Sequence, residues 1–254
     1  MIARLFFILL ALTTMVACSD EFSSNEIGSS QGTQSGSYAN MLVVNDFLYA
    51  ITDSELITFG VEDSANPVLL NTQELGFGAE SLFHRNSILF IGSQTALHIY
   101  AIGEDGIPVQ QSLTRYGNFG IAPCDPVITN DTLAYVTLSS TERICNTNFQ
   151  INELRFYNIT DLEAPVLENI FPMIDPKGLA LDGNYLFVCE NTAGFKIIDV
   201  SDHLNPVVLH HIEGIQTTDV ILQDGLALFV GRQAIHEYDY TDITDIKRLG
   251  RIDL

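Results

Sequence analysis

The chain has 254 residues, and 32 acidic against 11 basic side chains give it a formal charge of −21. So acidic a surface repels the phosphates of nucleic acid and excludes electrostatic docking on anionic lipid. Its four cysteines lack the two-to-four-residue spacing of a zinc module. In chain order, the first element is "MIARLFFILLALTTMVAC", with one early positive charge at Arg4 and an apolar run from Leu5 to Leu12. That run is too short to span a bilayer and reads as a signal peptide over residues 1–17. Residues 18–37 follow as Cys18 and a Ser-, Gly-, Gln- and acid-rich stretch. With scarcely any apolar residues it cannot offset the entropy of ordering, and it reads as a flexible tether.

Met15-Val16-Ala17-Cys18 resembles a bacterial lipobox, which implies cleavage before Cys18 and lipid on that residue. Ser19-Asp20-Glu21 resembles the export signal of Bacteroidetes surface lipoproteins, a serine followed by acids. Together these resemblances imply a cell-envelope location: an outer-membrane lipoprotein exposed at the cell surface. The plainer alternative is a periplasm-facing lipoprotein with an acidic linker. Either way the lipid would supply the membrane hold, and several acyl chains are needed for a lasting anchor.

Residues 38–254 repeat. An acidic residue in a polar turn falls at Asp63, Glu104, Asp161, Asp202 and Asp242, in steps of 41, 57, 41 and 40. Proline follows four residues later at Pro67, Pro108, Pro165 and Pro206, with Ile246 in the last copy. Four residues before the acid sits a large apolar side chain: Phe59, Tyr100, Tyr157, Ile198 or Tyr238. A second aromatic anchor precedes it at Tyr49, Phe90, Tyr135, Phe187 and Phe229. Each copy reads as four strands, greasy on both faces, so each sheet must be covered by its neighbours. The expected fold is all-β: a β-propeller of five four-stranded blades, closed into a ring.

Ile197-Ile198-Asp199-Val200-Ser201-Asp202, followed by Asn205-Pro206-Val207, resembles the LVIVD repeat, a family of bacterial exported β-propellers. The third copy keeps Asn158-Ile159-Thr160-Asp161 and Pro165, and the first keeps Asp63 and Asn66-Pro67. The second and fifth depart further, as Gly103-Glu104-Asp105-Gly106 and Thr241-Asp242-Ile243-Thr244. The resemblance implies a fold and does not imply an enzyme.

The long step of 57 marks an insertion near "SSTERICNTNFQIN", between the second and third strands of copy three. In an up-and-down blade that link shares a face with the start of the first strand. Cys124 and Cys145 can therefore meet, and we read them as a disulfide; the alternative is two free thiols. Cys189 reads as a small core residue. Aligned first strands place Glu80, Asp125, Lys177 and Asp219 at one position lining the channel. Such a group could grip a cation or a polar sugar, or its members could satisfy one another around trapped water. No base-and-orienter pair surrounds a histidine, no Gly-x-Ser-x-Gly stretch occurs, and no calcium loop is visible, so we expect no catalytic residue, metal or cofactor. The turn acids read as acceptors for backbone amides.

Three functions fit. The first is a non-catalytic binding or scaffold module for an envelope protein or glycan, presenting the insertion at 139–152. The second is a glycan- or peptide-processing enzyme using Glu80, Asp125 and Asp219 as acid and base. The third is a structural subunit of an envelope complex.

Overall fold

A computed structural model describes residues 39–117, 126–140 and 151–254, all within the compact unit Gly32–Leu254. Among the described residues twenty strands form five sheets. The first holds β1 (Met41–Val44), β2 (Phe47–Ile51), β3 (Glu55–Gly60) and β4 (Val68–Glu74). The second holds β5 (Ala79–Arg85), β6 (Ile88–Ser93), β7 (Ala96–Ile102) and β8 (Pro108–Arg115). The third holds β9 (Val127–Thr129), β10 (Leu133–Ser139), β11 (Asn152–Asn158) and β12 (Val166–Pro172). The fourth holds β13 (Leu179–Asp182), β14 (Tyr185–Cys189), β15 (Phe195–Asp199) and β16 (Val207–Ile212). The fifth holds β17 (Asp219–Gln223), β18 (Leu226–Val230), β19 (Ala234–Asp239) and β20 (Lys247–Asp253). Every sheet is an antiparallel meander of strands consecutive in sequence, the blade of a β-propeller.

Local chemistry sets each meander. Two-residue hairpins such as Asp224-Gly225 need positive φ, here +48° and +83°, which Asp and Gly tolerate. The turn acids act as read from the sequence: Asp63 accepts from the Ala65 amide at 3.0 Å, and Asp202 from the Leu204 amide at 3.1 Å. In the second copy the acceptor is Asp105, one residue after Glu104, bonded to the Ile107 amide at 3.0 Å. The outer strand of each sheet pairs with a register shift at one repeated place: Thr58/Phe59, Ile99/Tyr100, Phe156/Tyr157, Ile197/Ile198 and Glu237/Tyr238. The apolar residue four before the turn acid is thus the one that follows the irregularity, and the extra residue lies on the outer strand.

Four apolar clusters fill the four junctions between consecutive sheets. Tyr49 and Leu56 of the first sheet meet Leu89, Ile91 and Tyr100 of the second. Phe90, Leu97 and Ile99 then meet Val127, Ala134, Val136 and Tyr157. Tyr135, Leu154 and Phe156 meet Leu179, Leu186, Val188 and Ile198. Phe187, Phe195 and Ile197 meet Val220, Ala227, Phe229 and Tyr238, with the Phe195 and Phe229 rings stacked at 3.6 Å.

Two expectations need correction. The aromatic anchor holds through four copies only. Tyr49, Phe90, Tyr135 and Phe187 each stand across from the residue five before the turn acid, and in the fifth copy that partner belongs to Leu228. Phe229, one residue on, points to the opposite face, back onto the fourth sheet. The closed ring is the second. Among the described residues no apolar cluster joins the fifth sheet to the first, and no sheet mixes strands from the two ends. Burial agrees: β10 is buried at every position, whereas β18 and β19 alternate between buried and half-buried. A sheet covered on one face gives that alternation; a sheet covered on both does not.

Candidate functional site

In a four-stranded meander the start of strand one, the link between strands two and three, and the end of strand four share one edge of the sheet. The links between sheets therefore run along the same face as the loops after each second strand. Backbone bonds fasten them together: the Leu75 amide donates to Ser54 at 2.8 Å, and the Lys177 amide to Cys189 at 2.8 Å. This linker face carries the densest polar chemistry among the described residues.

Its centre lies where the third, fourth and fifth sheets meet. Asp175, in the link before β13, takes a hydrogen bond from Ser139 Oγ at 2.6 Å on Oδ1. Lys177 Nζ lies 3.2 Å from the same oxygen, and Asn191 Nδ2 donates to Oδ2 at 2.8 Å. Gln216 Nε2 donates to Asn191 Oδ1 at 2.9 Å, and Thr137 Oγ1 to the Lys177 carbonyl at 2.8 Å. Beside it, fully buried Glu190 accepts from the Ile174 amide at 2.7 Å on Oε1 and pairs through Oε2 with Lys196 Nζ at 2.7 Å. His211 Nε2 stands 3.6 Å from Oε2. Asp175, Lys177 and Glu190 are all buried. Charges taken out of water persist only when each finds a partner, and here each does.

Of the four channel residues, Glu80, Lys177 and Asp219 lie among the described residues. Lys177 belongs to the network just described. Asp219 begins β17, receives the amide of Val220 at 2.9 Å, and presses on Gly178, where a Cβ would collide with its carboxylate. Lys177 and Asp219 thus flank the close approach of the fourth and fifth sheets, fixed by the bond from the Gly178 amide to the Thr218 carbonyl at 2.9 Å. Glu80, in the second sheet, is bonded to Gln94 Nε2 at 2.9 Å within its own sheet. Asp125 lies outside the described residues, as do Cys18, Cys124 and Cys145 with the disulfide read between the last two. Cys189 is fully buried, and burial pushes its thiol well up, which suits a core residue and not a nucleophile. Among the described residues no group of three or more His, Cys, Asp or Glu side chains could hold a metal.

One repeated feature escaped the sequence reading. Six residues before each turn acid stand Ile57, His98, Arg155, Lys196 and His236, so every copy after the first carries a basic or imidazole group there. Register puts each beside a residue of the junction with the preceding sheet: His98 by Ile91, Arg155 by Val136, Lys196 by Val188 and His236 by Phe229. Arg155 reaches back to the second sheet, donating to the Tyr116 carbonyl at 2.8 Å with its guanidinium 5.7 Å from that ring's centre. His98 Nε2 lies 3.2 Å from Ser93 Oγ, and burial, then Arg115, lowers its pKa to about 4. Counting back from the turn acid would have found the column. Comparing residue types alone hid it, because Ile, His, Arg and Lys share no obvious class.

Comparison with known proteins agrees with this architecture. The chain resembles in fold a protein from Lactobacillus plantarum at 13% identity, covering 83% of this chain and 69% of that one with a TM-score of 0.66. A functionally unknown protein from Desulfotomaculum acetoxidans matches at 12% identity over 85% and 69% of the two chains, also at 0.66. The periplasmic gluconolactonase of Pseudomonas aeruginosa matches at 10% identity over 82% and 68%, at 0.63. At such identities the likeness is one of fold. Among curated proteins no sequence matches. Residues 175–211, which take in most of the fourth sheet, match the LVIVD repeat. The chain is a repeat-containing β-propeller protein that carries an LVIVD repeat.

Proposed function

We propose that the protein is a lipid-anchored, non-catalytic binding and scaffold module of the cell envelope, held at the outer membrane through Cys18 and facing an envelope protein or glycan. The observation that carries this reading is that two links on the linker face each hold out an exposed apolar side chain, Phe77 between the first and second sheets and Ile174 beside the locked polar network. Phe77 is 67% exposed, held out between Gly76 and Gly78, both at positive φ. Ile174 is 53% exposed, directly beside Asp175 and anchored by its amide to Glu190. Apolar groups presented by a platform whose charges are neutralised internally suit recognition, because little side-chain entropy is lost on binding. The enzymatic alternative requires Glu80, Asp125 and Asp219 to act together, and Glu80 is engaged with Gln94 within its own sheet.

The test is capture from detergent-solubilised envelope by the immobilised protein, with Phe77→Ala and Ile174→Asp as variants. We expect a defined partner retained by the wild type and lost in either variant while the far-ultraviolet spectrum stays unchanged. Equal capture by all three, or turnover of a chromogenic glycoside or peptide by the wild type, sinks the reading. Fractionation of a Cys18→Ala variant tests the anchor: the protein should leave the membrane fraction.

A further inference from the structure

Opposite the linker face, each sheet carries the hairpin between its first two strands and the turn that holds the acid. At this edge every junction joins a residue from the second strand of one sheet to the residue two before the turn acid of the next. The pairs are Tyr49 with Ile102, Phe90 with Ile159, Tyr135 with Val200, and Phe187 with Tyr240. Three of these four pairs hold a tyrosine, and its hydroxyl fastens the edge. Tyr49 donates to the Gly106 carbonyl at 2.8 Å, and Tyr135 Oη accepts from Asn130 Nδ2 at 3.1 Å. Tyr240 donates to Asp182 Oδ2 at 3.0 Å, with its ring 4.8 Å from that of Phe187. Phe90 and Ile159, between the second and third sheets, bring no hydroxyl, and there a cavity of about 220 Å³ opens.

Buried Phe90 and Ile159, with Ile88 and Leu162, give the cavity an apolar floor, and Arg85, Asn86 and Asp131 give it a polar rim. Register puts Arg85 where the fourth sheet has Asp182, the acceptor of the Tyr240 hydroxyl. Arg85 Nε donates to Asp131 Oδ1 at 2.8 Å, and Asn86 Nδ2 donates to the same oxygen at 3.0 Å. A guanidinium has five N–H groups and a carboxylate fork engages two at most, so Arg85 keeps donors and Asp131 keeps acceptor sites. Their side chains are 40% and 68% exposed, within reach of a ligand. An apolar cavity of about 150 Å³ takes a benzene ring, so this one takes a single six-membered ring with its substituents. We propose that the cavity binds a neutral pyranose unit, its C–H face on the apolar floor and its hydroxyls on Arg85, Asn86 and Asp131. Each hydroxyl both donates and accepts, which suits a rim made of a guanidinium, an amide and a carboxylate. A phenol offers one such group, and an anion would meet Asp131 on a chain at −21. The cavity lies at the edge opposite Phe77 and Ile174, so this inference stands apart from the reading of the linker face.

The test is saturation-transfer NMR titration of the chain from residue 18 with Cys18→Ser, which keeps the whole compact unit Gly32–Leu254. The probes are the methyl glycosides of glucose, galactose and mannose as both anomers, with phenol alongside. At least one glycoside should saturate, with a Kd on the order of 1 mM for a ligand of about a dozen heavy atoms. Ile159→Tyr, which fills the cavity as Tyr240 fills its own junction, should abolish that binding. Arg85→Ala, on the exposed rim, should weaken it about tenfold and repeats the test should the first variant fold poorly by circular dichroism. The proposal is overturned if no glycoside saturates, whether or not phenol does, or if either folded variant retains the binding in full.

Discussion

His98 shows how one side chain ties packing to solution behaviour. Its ring is buried at the junction of the first and second sheets, and its pKa of about 4, down from an ordinary 6.5, means that it folds neutral. The unfolded chain binds a proton at this site below about pH 6.5, whereas the folded one does not until about pH 4. Stability must therefore fall as pH drops through that window. Thermal melts between pH 7 and 4 should show the decline, and His98→Leu, apolar and of similar size, should flatten it. A second loss lies lower. Hydrogen bonds hold the carboxyls of Asp63, Asp202 and Asp242 below the ordinary range, chiefly those from Asn66, Asn205 and Thr244. Their contribution is present above the unfolded value near 4 and is lost as pH falls through the folded one. These turn acids were legible in the sequence because an acid two residues before an amide it can cap is a local pattern. The burial of His98 was not, since nothing local says which sheet will cover it.

At the scale of elements, the meanders were readable from alternating apolar residues and from Asp-Gly and Asn-Pro punctuation, while the way they are fastened was not. The link into the fourth sheet is held by Glu190, which takes the Ile174 amide on one oxygen and Lys196 on the other. Its side chain is wholly buried and that of Lys196 nearly so. Glu190→Ala would leave an ammonium in the core without its counter-ion and should cost about 3–5 kcal/mol, read as a shift in denaturant midpoint. The double variant Glu190→Ala, Lys196→Met should recover much of that loss. Equal stability of single and double variants would show that the pair is not coupled. The misplacement of the aromatic anchor onto Phe229 belongs to this scale as well. Two adjacent apolar residues in a strand lie on opposite faces, so an error of one position changes the sheet against which the residue packs.

For the whole molecule, the repeat spacing announced five sheets but could not announce that, among the described residues, apolar clusters fill four junctions and none joins the fifth sheet to the first. Closure depends on whether the first and last copies present matching faces, and the difference sits in single residues such as Ile57 and Glu237. The stack therefore has an interior and two ends. The third sheet is gripped from both sides, while the first and fifth each lean on one neighbour. Local opening follows such inequality, because a unit with one supporting contact detaches at lower cost than a unit with two. Amide hydrogen exchange should accordingly run as a gradient: deuterium enters β1 and β20 first and reaches β10 and β14 last. Uniform protection across all five sheets would mean that the ends are joined. If the gradient is found, this fold melts as a zipper does, from its tips toward its middle.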